Sequence, residues 1–259
     1  MNSDRAKTGI AELDKMLRGG FMRGDTVLLA GSAGTGKTTL ALQFLVSGAT
    51  EFGEYGIFVT FEQMPDQIYR DALNFGWDLR KLEQDRKLRL ICTSPDLITG
   101  EGASALLDSP TREMNASRIV IDSISHLQMF LPDKGMRLEA YRLVNYFKTK
   151  GLTTLLTSES HEISGGSLTI TGTGISFLVD CIMLLRHVEI ESSMKKAITV
   201  LKMRGSDHDK QLREFEITSQ GIRLASPFSQ YEGIITGSPR RMASERFIEL
   251  FSKAGGKAK

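Results

Sequence analysis

Cysteine is nearly missing from this chain, with only Cys92 and Cys181 in 259 residues, both in apolar strand-like runs. No disulfide framework can be built from them, and two buried, reduced thiols in core strands are expected, which suits a reducing cytoplasm. Long apolar stretches are missing too: none approaches the roughly eighteen residues that would span a bilayer. The opening Met-Asn-Ser-Asp-Arg-Ala-Lys has no apolar signal core, so no leader or membrane anchor is expected. Neither sign of charge dominates, since 33 Lys and Arg face 31 Asp and Glu. The resulting +2 is too little to argue by itself for nucleic acid or an anionic membrane. Proline is sparse, tryptophan occurs once, and there is no internal repeat or low-complexity segment. What remains is an ordinary globular composition, long enough for a large core and most economically one α/β domain.

The organising stretch is Gly31-Ser-Ala-Gly-Thr-Gly-Lys37-Thr38. Thr26-Val-Leu-Leu-Ala30 before it reads as a buried strand. The segment after it places Leu40, Phe44 and Leu45 roughly on one helical face. Gly-x4-Gly-Lys-Thr between a strand and a helix is the P-loop pattern, in which glycines let successive N–H groups converge on a phosphate at a helix N-terminus. Lys37 would reach the β- and γ-phosphates of a nucleoside triphosphate, and the Thr38 hydroxyl would sit on Mg²⁺.

In chain order, residues 8–24 read as a short helix ended by Gly19-Gly20, and Gly56-Ile-Phe-Val-Thr-Phe61 as a second core strand with Glu62 just past its end. A helix follows over about 66–75, a strand over 88–92, and a loop with a helix of undefined extent over 93–117. A strand over 118–122 ends in Asp122, a helix covers 135–150 and a strand 152–157. Alternating strands and helices predict a mostly parallel central sheet covered by helices on both faces, with ligands at the strands' carboxyl ends. Residues 160–176 are small and hydroxyl-rich and read as a mobile loop. Three further strand-like runs, 180–186, 197–203 and 212–218, predict a C-terminal antiparallel extension. The ATPase domain is set at 1–225. From Ser226 onward a peripheral segment is expected, with a short helix near 244–251 and a disordered end.

Asp122, closing Ile-Val-Ile-Asp, has the setting of a Walker B carboxylate that holds Mg²⁺ opposite Thr38; a strand-to-helix cap is the bland alternative. Glu62 sits where a carboxylate could take a proton from attacking water, or else simply enters a helix. Hydrolysis also needs positive charge on the γ-phosphate, worth ~10³–10⁵ in rate. Lys202 and Arg204, at i and i+2 of a strand, would point to one side and reach one phosphate together, unless they form the exposed face of an edge strand. His208 is a surface residue or a nucleotide contact. His126, His161 and His187 are scattered without metal-ligand spacing, so no zinc site is expected.

On residues 8–24, 31–39, 58–62, 74–78, 119–123, 157–159, 200–210 and 231–241 the chain resembles the KaiC-like branch of RecA-type ATPases. The run from Leu201 to Lys210 is more specific than the P-loop. The resemblance implies a RecA-like domain, a homohexameric ring and ATP at the seams. It implies phosphate and Mg²⁺ contacts from Gly34, Thr35, Gly36, Lys37, Thr38 and Thr39, with Glu62 as general base and Asn74 and Phe75 at the adenine. Lys202, Met203, Arg204, Ser206, His208 and Lys210 would approach the nucleotide from the neighbouring subunit. Two departures stand out. Glu62 is followed by Gln63 where the family commonly has two glutamates. The family's phosphorylated Ser-Thr pair falls on Ser176-Phe177, leaving Ser176 as the single position for autophosphorylation.

The function expected is a slow, cytoplasmic regulatory ATPase using ATP and Mg²⁺, signalling to an unidentified protein partner. A RecA- or RadA-like DNA-binding ATPase of recombination or repair is the first alternative. The loop at 162–175 has no lysine or arginine for phosphate contacts, and Arg240-Arg241 is the one mildly basic patch, so nucleic acid is not favoured. A nucleotide-binding adaptor without turnover is the second.

Overall fold

A computed structural model describes residues 4–160, 175–234 and 240–241. The chain runs β1 (Arg5–Ala6), α1 (Ala11–Met16), β2 (Phe21–Met22), β3 (Thr26–Gly31), α2 (Lys37–Glu51), β4 (Gly56–Thr60), α3 (Pro65–Leu73), α4 (Leu79–Gln84) and β5 (Leu88–Cys92). It continues through α5 (Gly102–Met114), β6 (Arg118–Asp122), α6 (Asp133–Thr149), β7 (Thr153–Glu159), β8 (Cys181–Ile190), β9 (Ser193–Met203), β10 (Arg213–Thr218), β11 (Gly221–Pro227), β12 (Tyr231–Glu232) and β13 (Arg240–Arg241).

Nine strands form one sheet in the order β11-β10-β9-β8-β3-β7-β6-β4-β5. From β8 to β5 every pairing is parallel, and β9, β10 and β11 extend the sheet antiparallel. The parallel strands are apolar almost throughout because both faces are covered. Side chains alternate between two cores: Val27, Leu29, Phe58, Val120 and Leu155 join one, while Leu28, Ile57, Val59, Ile119, Ile121 and Leu156 join the other. The first core takes α1, α2, α3, α4 and the β10–β11 hairpin; the second takes α5 and α6. The expected mostly parallel, helix-flanked sheet with its antiparallel extension is thus the fold observed.

Several expectations need correction. The first helix covers only Ala11–Met16, because Arg18, Gly19 and Gly20 all take positive φ and stop it early. The helix α4 was not anticipated; its six residues carry too short a periodic signal, although Leu79 and Leu82 are buried. The region 93–117 resolves into a short 3-10 turn and α5. Beyond Ser226, β11 runs on to Pro227 and Ile234 is buried. Cys181 is buried as expected, but Cys92 is exposed, because it ends β5 at the free edge of the sheet. The helix expected near 244–251, the disordered end and most of the small-residue loop lie outside the described residues.

One buried charge ties the two layers around α2 together. Arg118 is fully buried at the start of β6. Its guanidinium bonds Glu54 at 2.7–2.8 Å, donates to the Phe44 carbonyl at 2.5 Å and lies 4.3 Å from the centroid of the Phe44 ring. Room for it comes from Gly48 in mid-helix, where a Cβ would stand 2.7 Å from Arg118 Nε. A helix-interior glycine costs about 1 kcal/mol relative to alanine, and here the cost is offset by the pairing it admits. Glu54 is also paired to Arg23. Truncating Arg118 would leave that acid with Arg23 as its one remaining partner, leave the Phe44 carbonyl without its donor and open a cavity beneath α2. Arg118→Ala is therefore expected to lower the free energy of unfolding by ~3–5 kcal/mol, read as a lower urea midpoint at unchanged slope.

Candidate functional site

The parallel register decides what meets at the strand ends. Gly31 pairs with Glu159, and Thr60 pairs with Asp122, so the ends of β3, β7, β4 and β6 open together. From Gly31 the chain turns through residues 32–36 into α2. Gly36 takes φ 102°, and a Cβ there would stand 2.9 Å from Ile217 Cδ1, so the turn needs glycine on both counts. No side chain caps α2 and its first turn holds no acid. The N–H groups of Lys37, Thr38 and Thr39 have no acceptor within the helix, and with the positive end of its dipole they form an anion site. The loop is braced from inside by Thr35, whose hydroxyl donates to Ser32 O at 2.8 Å, and from β9 by Lys196, whose ammonium donates to Gly34 O at 2.5 Å.

Lys37 rests its ammonium on the carbonyls of Gly31 and Ser32, at 2.9 and 3.0 Å. Burial holds its pKa below the ordinary lysine value, with Glu159, Asp122 and Glu62 opposing that shift in order of size. Thr38 donates its hydroxyl to Asp122 Oδ2 at 2.7 Å, and the buried Thr157 hydroxyl donates to Asp122 Oδ1. Glu62 is placed by a short turn in which the buried Thr60 hydroxyl accepts the N–H groups of both Glu62 and Gln63. Its carboxylate is largely exposed and lies 3.6 Å from His126 Nε2. Lys37, Thr38, Glu62, Asp122 and His126, with Glu159 beside them, line a cleft of about 210 Å³.

The donor set suits Mg²⁺. A hydroxyl and a carboxylate, both hard oxygen donors, stand side by side with the phosphate cradle, and magnesium of this kind takes one or two protein oxygens alongside phosphates and water. Thr38 and Asp122 would hold it. Among the described residues no cluster of three or more His, Cys, Asp or Glu fits a metal held by protein alone.

The other expected contacts stand elsewhere. Asn74 and Phe75 end α3, with the Phe75 ring 4.8 Å from Trp77, and neither lines the P-loop cleft. Met203 pairs with Cys181, and Cys181 with Val27, so Lys202 and Arg204 lie where the parallel strands begin. The P-loop leaves from where β3 ends, four residues or about 13 Å further along the strand. Lys202 donates to the carbonyls of Ser176 and Val179 at 3.0 and 2.7 Å, and Arg204 to that of Phe177 at 2.8 Å. The two cations do face one side together, on the turn 175–179. Ser206 accepts from Arg5 at 2.6 Å, the backbone of Asp209 bonds Met16 O, and His208 is half-buried between them, while Lys210 is exposed. His126 was not singled out for the site, and the one signal for it was its place four residues past Asp122, whereas the stretch 157–159 was expected at the strands' carboxyl ends beside Asp122.

This fold and cradle define a RecA-like P-loop protein. A family model described as "ATPase: KaiC" matches residues 6–228, and the chain belongs to that family. It is 35% identical over 252 residues to "Circadian clock protein KaiC3" of Synechocystis sp., covering 96% of this chain and 50% of that protein. It is 35% identical to "Circadian clock oscillator protein KaiC" of Thermosynechococcus vestitus over 97% of this chain and 48% of that protein. Against the protein of the same name from Synechococcus elongatus it is 35% identical over 95% and 47%. The chain spans about half the length of the curated relatives it matches.

Near the Lys202 and Arg204 end of the sheet, burial and then the neighbouring Asp180 push the Asp25 carboxyl up to about 6, against Lys148, Arg5 and Arg204. The folded chain therefore holds this proton more tightly than the unfolded chain, whose value stays near the ordinary 3.8. The stability it contributes is complete below that ordinary value and is lost as pH rises through about 6. Asp25→Asn is expected to raise the melting temperature at pH 8 by about 2–4 °C, roughly 1 kcal/mol after discounting for solvent. The gain should fade toward pH 4 in a series of thermal melts.

Proposed function

We propose that this chain binds ATP with Mg²⁺ and hydrolyses it slowly as a regulatory ATPase, in a ring of six copies with nucleotide at each seam. In this reading Gly34, Thr35, Gly36, Lys37, Thr38 and Thr39 grip the triphosphate and Asp122 supports the metal with Thr38. Glu62 takes the proton of the attacking water. Lys202 and Arg204 of the adjoining copy supply positive charge to the γ-phosphate, with Met203, Ser206, His208 and Lys210 around them and Asn74 and Phe75 near the adenine. Magnesium, when bound, neutralises charge shared between the β- and γ-phosphates. The regulatory role draws on the relatives, whose names place them in circadian clocks, and a cytoplasmic location is part of the same proposal.

The observation that carries this reading is the strand register. Cradle and cation pair stand at opposite ends of β3, so a copy cannot bring Lys202 and Arg204 to its own phosphates, and a second copy can. A finger of this kind is worth ~10³–10⁵ in rate, or about 4–7 kcal/mol. DNA handling has less support, because Arg241 is paired with Glu191 at 3.0 Å and the patch it was expected to form is partly neutralised.

Complementation tests the seam. Lys37→Ala should abolish ATP binding, and Arg204→Ala should keep ATP binding while losing most turnover. Co-assembled in equal amounts, the two should recover about a quarter of the wild-type rate, since one seam in four then joins an intact cradle to an intact finger. Absence of recovery, with both variants present in one assembly by light scattering, rules out the shared site.

A further inference from the structure

The Glu62 carboxylate is 74% exposed, and an exposed, flexible base is a poor holder of a nucleophile. Among the described residues one side chain is paired with it, His126, only 24% exposed, with Nε2 at 3.6 Å from Glu62 Oε2. The ring is fixed from behind. Nδ1 lies 3.2 Å from the Ser123 carbonyl and 3.4 Å from its hydroxyl, and the ring stands 6.2 Å from that of Phe61. Of these two oxygens the carbonyl is the nearer and can only accept, whereas the hydroxyl can pair with either tautomer, so the neutral ring that satisfies both carries its hydrogen on Nδ1 and a lone pair on Nε2. Nε2 and the Glu62 carboxylate are then two acceptors facing one cleft, with no hydrogen between them. What satisfies both is a molecule with two donors, and water is the one such molecule that the reaction already requires.

From this geometry we infer that His126 is the second acceptor for the attacking water, sharing it with Glu62. The inference rests on the role given to Glu62 above. One O–H of the water donates to the carboxylate and the other to Nε2, which turns an oxygen lone pair toward the γ-phosphorus. As the new P–O bond forms, the bond from the γ-phosphorus to the β,γ-bridging oxygen breaks and its electrons leave with ADP. The proton facing Glu62 passes to the carboxylate. The proton facing His126 stays on the phosphate product, so the imidazole ends the step as it began. Ser123, next in sequence to Asp122, ties the ring to the same strand end as the metal site.

Two measurements test this separately from Glu62. Long-range ¹H–¹⁵N spectra of the full chain should show His126 with hydrogen on Nδ1 and none on Nε2; the opposite tautomer, which would donate directly to Glu62, overturns the inference. In turnover, His126→Gln keeps an acceptor near the place of Nε2 without the ring, and His126→Phe keeps a ring without the acceptor. The glutamine variant should stay within about threefold of wild type. The phenylalanine variant should lose about ten- to a hundredfold in kcat with ATP affinity unchanged. The reverse order would mean that the ring merely packs, and overturns the proposal. In a Glu62→Gln background, His126→Phe should add little, because both act on one water; a full multiplicative loss also overturns it. Full turnover in Glu62→Gln alone would instead overturn the role of Glu62, and the shared water with it, while the tautomer still reports whether Nε2 is an acceptor.

Discussion

The Asp122 carboxylate, held by Thr38 from one side and Thr157 from the other, is the interaction on which the site depends. Each oxygen accepts from a different hydroxyl, one at the start of α2 and one near the end of β7. The pair fixes the distance between the phosphate cradle and the acid-bearing strand ends without any loop in between. The rest follows from register. Once β3, β7, β6 and β4 lie parallel, Gly31, Glu159 and Asp122 must open at one end of the sheet, and the turns after β3, β4 and β6 complete the cleft there with Gly34, Glu62 and His126.

Much of this could be read in the residues alone, because the signals are local. An apolar run ending in a glycine-rich turn and another ending in aspartate each declare a strand and its functional end within about ten positions. The antiparallel extension was likewise legible as short strands between polar turns. Other features depend on tertiary placement. Cys92 sits in a strand-like run that reads as buried, yet β5 proves to be the edge strand, where Leu90 N–H is occupied by Glu83 rather than by another strand. His126 carries no motif, and its place beside Glu62 exists only because the 3-10 turn after β6 brings residue 126 back toward the end of β4.

Arg118 shows the same limit from the core. Nothing in Ala-Ser-Arg-Ile-Val-Ile-Asp marks that arginine as buried, and by itself it reads as the polar start of a strand. Its burial is made possible by a glycine in α2, an acid in the turn after α2 and a phenylalanine one helical turn before the glycine. Three of those residues lie in or just after α2 and the fourth far along the chain, and together they hold the far end of the P-loop helix against β6, the strand that carries Asp122. The helix that presents its N-terminus to phosphate is thus anchored at both ends to one strand, by Thr38 at the site and by Arg118 beneath it.

The cation pair is held on different terms. Lys202 and Arg204 donate to neutral main-chain carbonyls of the turn 175–179, with Asp180 3.5 Å from the Arg204 guanidinium and occupied as well by Lys148. Both donors are cations, so their bonds to these carbonyls are already charge-assisted, and a phosphate would add charge–charge attraction and, for Arg204, bidentate geometry. In the proposed ring, a triphosphate presented by another copy would compete with the turn for the same donors. Release of the donors would leave the carbonyls of Ser176, Phe177 and Val179 to be satisfied elsewhere. Under the proposed seam, nucleotide on one copy and the conformation of this turn on its neighbour are then linked by competition for two side chains, and the exposed Phe177 ring makes the turn accessible from outside.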